Sequence, residues 1–298
     1  GGDGGFAVSA ALAQAGGGEA VQLGTGTQGH APGRRLVHVN SAGASAVSLG
    51  EWLAIGWLTP AMDRLFADSA SGRRRYMDRL ALALDPAHAR HAARFERALR
   101  ERNRLLADDA EPDPRWLDSL ELQLADAGAE LAQGRARLAE SLTVELAGLP
   151  DEPFARPALS YVPGGPLDAD ALAVALAQGR ARDRAAGRTL VGPHRDELEV
   201  TMAGKGAPAA QCSTGEQKAL LIAITLAHAG LAAAGRPGLL LLDEVAAHLD
   251  PLRRAALFER LHAGKAQVWL TGTELAPFEE IAGAAAVWRV SGGAAERL

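Results

Sequence analysis

Two acidic residues, Asp243 and Glu244, directly follow four consecutive leucines, Leu239 to Leu242. Such an aliphatic run predicts a fully buried parallel strand. Open α/β sheets place ligand sites where such strands end. An adjacent carboxylate pair at that place can divide labour. Asp243 would hold Mg²⁺, and Glu244 would orient or deprotonate an attacking water. A solvated Asp-Glu loop ending an ordinary strand is the alternative.

A second group lies some thirty residues earlier, Ser213-Thr214-Gly215-Glu216-Gln217-Lys218, before the apolar stretch from Ala219. Ser and Gly opening a helix present free backbone N–H groups at the positive end of the helix dipole, which is an anion site. Ser213 and Glu216 also fit a Ser-x-x-Glu capping box, and the two roles are compatible. Further on, Asp250 precedes Pro251, the pairing expected of an N-cap and a first helical residue. Gln267 to Glu274 reads as another buried strand ending in hydroxyls and a carboxylate, with Thr273 among them.

The elements that must position these groups can be read from the remainder. Phe6 to Ala10, Ala20 to Leu23 and Arg35 to Val39 are β-like runs between Gly-rich turns, which predicts an antiparallel meander. Ser48 to Ile55 reads as a short helix leading into Trp57-Leu58-Thr59-Pro60. Two helices are expected between Gly72 and Ala107, the second starting near Pro86. After the turn at Glu111-Pro112-Asp113-Pro114 comes a long helix to about Leu149. Its residues Leu117, Leu120, Leu124, Leu131, Leu138 and Leu142 recur at helical spacing. That stripe predicts an antiparallel helical hairpin about 50 Å long. Leu159 to Val162 reads as a strand and Asp168 to Ala186 as a helix. From Thr189 onward, alternating strands and helices predict a largely parallel sheet.

Composition narrows the classes. The chain has 298 residues, 48% hydrophobic, with a formal charge of -5, so DNA contact would need local basic patches. One cysteine, Cys212, excludes a disulfide framework within the chain and a Cys-rich zinc site, and points to the cytosol. No apolar run is long enough to span a membrane. The basic patches are Arg73, Arg74 and Arg75, and the helix face Arg90, Arg94 and Arg97. Either these meet phosphates or they form a solvated face balanced by Glu96, Glu101 and Asp108.

The order Ser-Thr-Gly-Glu-Gln, aliphatic run with Asp-Glu, then Leu249-Asp250 resembles the signature motif, Walker B and D-loop of ABC-type ATPases. The details resemble the SMC-like RecF family: Trp57-Leu58-Thr59-Pro60, Arg73 to Leu80, Leu190-Val191-Gly192-Pro193-His194-Arg195-Asp196, and Leu270 to Glu274. The resemblance covers essentially the whole chain. It implies an α/β fold, an ABC-type ATPase head with a mixed sheet and P-loop NTPase core, plus a helical second lobe carrying the hairpin. The expected division is 1–56 and 188–298 for the head and 57–187 for the helical lobe.

It also implies ATP and Mg²⁺ as cofactors, and an ATP-dependent homodimer joined head-to-tail. Carried over by position, Ser213, Thr214, Gly215, Glu216 and Gln217 form the nucleotide-binding signature, with Ser213 and Gly215 touching the γ-phosphate held by the partner. Asp243 serves Mg²⁺, Glu244 the hydrolytic water, Asp250 the dimer contact, and Thr273 stands at the switch-histidine position. Implied partners are DNA, RecO/RecR-like mediators and RecA, in recombinational repair, with a weak DNA-dependent ATPase. A nucleotide-binding subunit of an ABC transporter is the alternative, and a decayed fragment a third reading. Ala61 departs from the Glu or Gln usual after the Thr-Pro pair. No Gly-x-x-x-x-Gly-Lys-Ser/Thr occurs in these residues, and Gly204-Lys205-Gly206 reads as a hairpin turn. The first strand, P-loop and helix are therefore expected to precede Gly1, and the chain as it stands is expected not to bind ATP normally.

Overall fold

The computed structural model describes residues 5–13, 20–108, 110, 112–150, 152–233, 236–246 and 249–298. Glu111 of the expected turn, and His248 beside Leu249-Asp250, lie outside them.

The meander forms as expected. β1 (Phe6–Leu12), β2 (Val21–Gln28), β3 (Ala31–Val39) and the short β4 (Ala42–Gly43) pair in that order, and the β1–β2, β2–β3 and β3–β4 ladders are all antiparallel. The segment expected to be helical behaves differently. Only Val47–Glu51 turns, as 3-10 helix, and Ala54–Leu58 is strand β5. Ile55 and Trp57 suit a pleated ladder better than a helix.

The parallel sheet has the order β10-β9-β5, with β9 (Gly238–Asp243) in the centre and β10 (Gln267–Thr271) on its far side. Its two faces differ. Leu58, Leu240 and Leu242 point into the main core. The opposite face carries the cross-strand row Trp57, Leu241 and Trp269, of which Leu241 is 38% and Trp269 61% exposed. The four-leucine strand is thus buried on one face, and full burial is corrected. The strands from Thr189 onward also divide. β7 (Glu197–Met202) and β8 (Ala207–Pro208) join the earlier β6 (Pro157–Val162) in a separate antiparallel sheet. β11 (Trp288–Ser291) and β12 (Ala294–Arg297) form a hairpin.

Six α-helices are present among the described residues: α1 (Ala70–Leu84), α2 (His88–Ala107), α3 (Pro114–Ala147), α4 (Ala169–Ala186), α5 (Thr214–Ala232) and α6 (Pro251–Ala263). Pro114 and Pro251 occupy first turns, where a missing N–H costs nothing. Asp113 and Asp168 cap α3 and α4 by accepting from the N–H groups of Arg115 and Ala171. Contacts of Arg94 with Asp126 and of Arg102 with Glu121 run in opposite chain directions, so α2 and α3 form an antiparallel hairpin. It is no free arm, because α4 covers its other side through Leu172 and Leu176.

α3 joins two cores. Leu117, Leu120, Leu124 and Leu131 pack in the cluster of the three helices, while Leu138, Leu142 and Leu146 pack under the sheets. Buried ion pairs fasten the helices to the 189–196 segment. The Arg102 guanidinium, 0% exposed, donates to Glu121 (2.9 Å), Asp183 (2.6 Å), Thr189 (2.8 Å) and the Leu176 carbonyl (2.9 Å). Arg135 donates to both oxygens of Asp78 and to Asp196, which also accepts from the Tyr161 hydroxyl and the Gly164 amide.

Candidate functional site

Asp243 ends β9 beside the end of β10, and the Thr271 hydroxyl donates to its Oδ1. Its other carboxylate oxygen has no protein partner among the described residues. The chain then turns sharply, with Glu244 at φ 53, in the left-handed region that costs a residue with a side chain. The Glu244 amide donates to the Thr271 carbonyl at 3.2 Å, which fixes the turn against β10. The Glu244 carboxylate accepts no hydrogen bond from any described residue. Val245 and Ala246 are buried behind it. Strain of this kind persists where the surrounding structure holds it and occurs at sites where geometry matters.

Thr271 had no assigned part in the sequence, and it is the hydroxyl that reaches the acidic pair. Its pairing opposite Asp243 across adjacent parallel strands was the signal that could have found it. Thr273 lies two residues past β10, exposed, and makes no side-chain hydrogen bond among the described residues.

The start of α5 is a complete capping box. Glu216 N–H donates to Ser213 Oγ at 3.3 Å, and Glu216 Oε2 accepts from the Ser213 amide at 2.9 Å. Lys205, in the β7–β8 turn, pairs with the same carboxylate. The Lys205 ammonium, with the Ser213 donors, holds the Glu216 carboxyl down at about 2. The Gly204-Lys205-Gly206 lookalike is thus a turn, with Gly206 at φ 62. The amides of Thr214 and Gly215 are first-turn donors without an intrahelical acceptor. A Cβ on Gly215 would meet nothing within 4 Å, so this helix start is open to a ligand. The Gln217 side chain is buried and donates to the Cys212 carbonyl at 2.9 Å, which supports the turn from behind.

Lys218 reaches Asp63 at 3.4 Å, just beyond the end of β5, so α5 begins at the same end of the sheet where β9 delivers Asp243. No hydrogen bond or ion pair joins the signature group to the acidic pair among the described residues. One chain presents two half-sites. Asp250 caps α6, accepting from Arg253 N–H at 2.9 Å, and its side chain is exposed.

The donor set fits a nucleotide with a divalent ion. No cluster of three His, Cys, Asp or Glu side chains able to hold a metal occurs among the described residues. One carboxylate with a free oxygen is what Mg²⁺ needs when phosphates and water supply its other ligands.

The basic residues sort differently from expectation. Arg73 is held by Glu197 (2.7 and 2.8 Å) and by the Phe66 and Asp68 carbonyls, and Arg74 donates to the Asp196 carbonyl at 3.0 Å. Both brace α1 against β7 and are already committed. Arg75 and Arg90 are exposed. Arg94 and Arg97 line one groove between α2 and α3. His194 donates from Nε2 to the Thr189 carbonyl and stacks on Phe95, so it belongs to the packing of the helices.

A strained acidic pair ending a parallel strand, a capped signature helix at the same end and a helical lobe fastened beside them define an ABC-type ATPase head. The fold matches a solved structure of the recombination mediator protein RecF-ATPrS in the RecFOR pathway, with TM-score 0.82 and 18% identity over 99% of this chain and 80% of that one. A RecF-ATP structure of the same pathway matches with TM-score 0.79 and 19% identity, at the same coverage. No family model matches the chain. The DNA replication and repair protein RecF of Mesorhizobium japonicum is 47% identical over 309 aligned positions, spanning 98% of this chain and 80% of the relative. That of Caulobacter vibrioides is 44% identical, spanning 94% of this chain and 77% of the relative. The chain belongs to the RecF family.

Proposed function

We propose that this chain is the signature-and-carboxylate portion of an ATP-switched, DNA-binding recombination mediator acting in the cytoplasm. The single observation that carries the reading is the presence of two half-sites at one end of the sheet, the signature start exposed and the acidic pair half-buried. Each is preorganised, and no hydrogen bond or ion pair joins them among the described residues. Two copies facing head-to-tail would bring Ser213, Thr214 and Gly215 of one to the nucleotide beside Asp243 and Glu244 of the other. The relatives' names, which place them in DNA replication and repair, support the same reading.

In that arrangement Mg²⁺–ATP supplies the phosphoryl group. The free oxygen of Asp243 would hold the ion, and the unpartnered carboxylate of Glu244 would orient the attacking water and take its proton. The Thr214 and Gly215 amides would meet developing negative charge on the γ-phosphate. Glu216 and Gln217 support the turn, Asp250 lies at the dimer contact, and Thr273 takes the switch position. No Gly-x-x-x-x-Gly-Lys-Ser/Thr loop occurs in these 298 residues, so what they bring to the nucleotide is the signature helix start and the acidic pair. Hydrolysis would be weak and DNA-dependent, with RecO/RecR-like mediators and RecA as partners. The division into a head from 1–56 and 188–298 and a helical lobe from 57–187 belongs to the same proposal. The two cores support it, although β5 runs across the first boundary. Kinship with RecF leaves the transporter-subunit alternative without support.

Complementation tests the shared site, using the protein expressed from its whole reading frame. Ser213→Arg and Glu244→Gln should each abolish ATP hydrolysis alone. Mixed, they form heterodimers in which one composite site is intact, and about a quarter of wild-type activity should return. No recovery on mixing, with both variants folded and dimeric, would sink the shared-site reading.

A further inference from the structure

We infer that Thr271 is a positioning residue for the divalent ion, holding Asp243 in a one-oxygen binding mode that favours Mg²⁺ over Ca²⁺. The inference rests on the proposal that Asp243 serves the ion, and it adds the residue that decides which ion fits. Thr271 stands opposite Asp243 in the parallel register of β10 on β9. Side chains alternate along a strand, so both lie on the open face that carries Leu241 and Trp269 two residues earlier. The Thr271 hydroxyl donates to Asp243 Oδ1. The same hydroxyl oxygen accepts from the Glu244 amide at 3.3 Å, and the Thr271 carbonyl accepts from that amide at 3.2 Å.

These contacts fix which way the hydroxyl points. Threonine has a single hydroxyl proton. With the Glu244 N–H aimed at the hydroxyl oxygen, that proton goes to Asp243. Threonine is also stiff at χ1, because its Cβ is branched, so the donor stays in place. Oδ1 is thereby occupied, while Oδ2 accepts from no described residue. A carboxylate held in this way offers an ion one oxygen.

Mg²⁺ and Ca²⁺ respond differently to that restriction. Mg²⁺ demands near-ideal octahedral geometry with short bonds, so one oriented carboxylate oxygen beside phosphate and water suits it. Ca²⁺ takes one or both oxygens of a carboxylate into a flexible shell. Freeing Asp243 to turn removes the orientation on which Mg²⁺ depends and leaves Ca²⁺ a usable ligand. Groups that orient a metal ligand from behind commonly set affinity by about ten- to a hundredfold. Thr271 is exposed at a strand end, so its hydrogen bonds add little to folding. A clip that merely joined β9 to β10 would affect both ions alike.

The test titrates Mg²⁺ or Ca²⁺ into the whole-reading-frame protein and follows binding of a fluorescent, non-hydrolysable ATP analogue, so turnover plays no part. Thr271→Val should raise the half-saturating Mg²⁺ concentration roughly tenfold. The half-saturating Ca²⁺ concentration should rise by less than about threefold. Thr271→Ala removes the hydroxyl without the bulk of valine and should behave in the same way. Thr271→Ser keeps the donor and should stay within about threefold of the wild type for both ions. Circular dichroism matching the wild type shows that the variants are folded. The inference is overturned if the Mg²⁺ requirement is unchanged in Thr271→Val and Thr271→Ala, or if both ions weaken equally. It is also overturned if Thr271→Ser fails as badly as Thr271→Val. In each of these cases the wild type still binds the analogue with Mg²⁺, and the nucleotide proposal stands. A wild type that binds no analogue at any Mg²⁺ concentration overturns that proposal and this inference with it.

Discussion

Arg102→Met isolates what the buried ion network contributes to the helical lobe. Wild-type Arg102 is 0% exposed and donates four hydrogen bonds, two of them to carboxylates that are themselves buried. Removing it does not strand both equally. Glu121 keeps Arg180, which contacts both its oxygens at 3.1 Å or less. Among the described residues Asp183, 1% exposed, keeps only the Leu190 amide at 3.0 Å and loses its one cationic side-chain partner. Breaking a buried pair from one side costs about 3–5 kcal/mol, because a charge stays buried without compensation. Most of that loss should come from Asp183. Arg102→Met/Asp183→Asn should therefore recover part of it, about 1–2 kcal/mol, since removing both charges is cheaper than removing one. Arg180→Met should cost only about 1 kcal/mol, because that side chain is partly solvated and Glu121 retains Arg102. Urea unfolding at neutral pH, followed by helical circular dichroism, reads all four proteins. A loss below about 1 kcal/mol for Arg102→Met, or no recovery in the double variant, would refute the reasoning.

Two further outcomes follow from single residues. His228 is buried in α5 with its ring at 2.9 Å from the Leu80 carbonyl, and burial pushes its pKa from 6.5 down to about 4. The unfolded chain then binds the proton first as pH falls. Stability is whole above about 6.5 and should decline by about 3 kcal/mol between there and pH 4, a slope that His228→Gln flattens in urea titrations at several pH values. If the variant keeps the wild-type slope, the assignment to His228 is wrong. Glu244→Gly should raise stability by about 0.5–1 kcal/mol, because glycine adopts φ 53 without strain, while abolishing ATP turnover in the whole-reading-frame protein. A destabilised Glu244→Gly would show that the turn is not strained by its side chain.

Much of the fold was legible because it is written locally. The Ser213–Glu216 capping box, the Asp168 and Asp250 N-caps and the leucine stripe of α3 all depend on neighbours within a few turns, and they stand where their spacing placed them. The misread features depend on partners far away in sequence. Four leucines in a row say that a strand is apolar on both faces, not that both faces are covered, so the exposed row Trp57, Leu241 and Trp269 had no local sign. Five residues of apolar sequence at Ala54–Leu58 fit helix or strand equally until β9 is alongside. Arg73 and Arg74 read as free charge because Glu197 and Asp196 lie more than a hundred residues on. The covering of the hairpin by α4 was hidden for the same reason, since Arg102 meets Asp183 across 81 residues. At the site itself the carboxylates and the signature helix were visible. The role of Thr271 and the left-handed backbone of Glu244 were not, since both are set by the register of β10 on β9.

The most direct test of the central claim is DNA binding by the whole-reading-frame protein, measured with and without ATP, for the wild type and Glu244→Gln. The two-half-site switch predicts that ATP promotes binding in both proteins and that the variant, able to close on nucleotide but not to hydrolyse it, stays bound longer. If both proteins are folded and neither responds to ATP, the switch is contradicted and only the ABC-type fold stands.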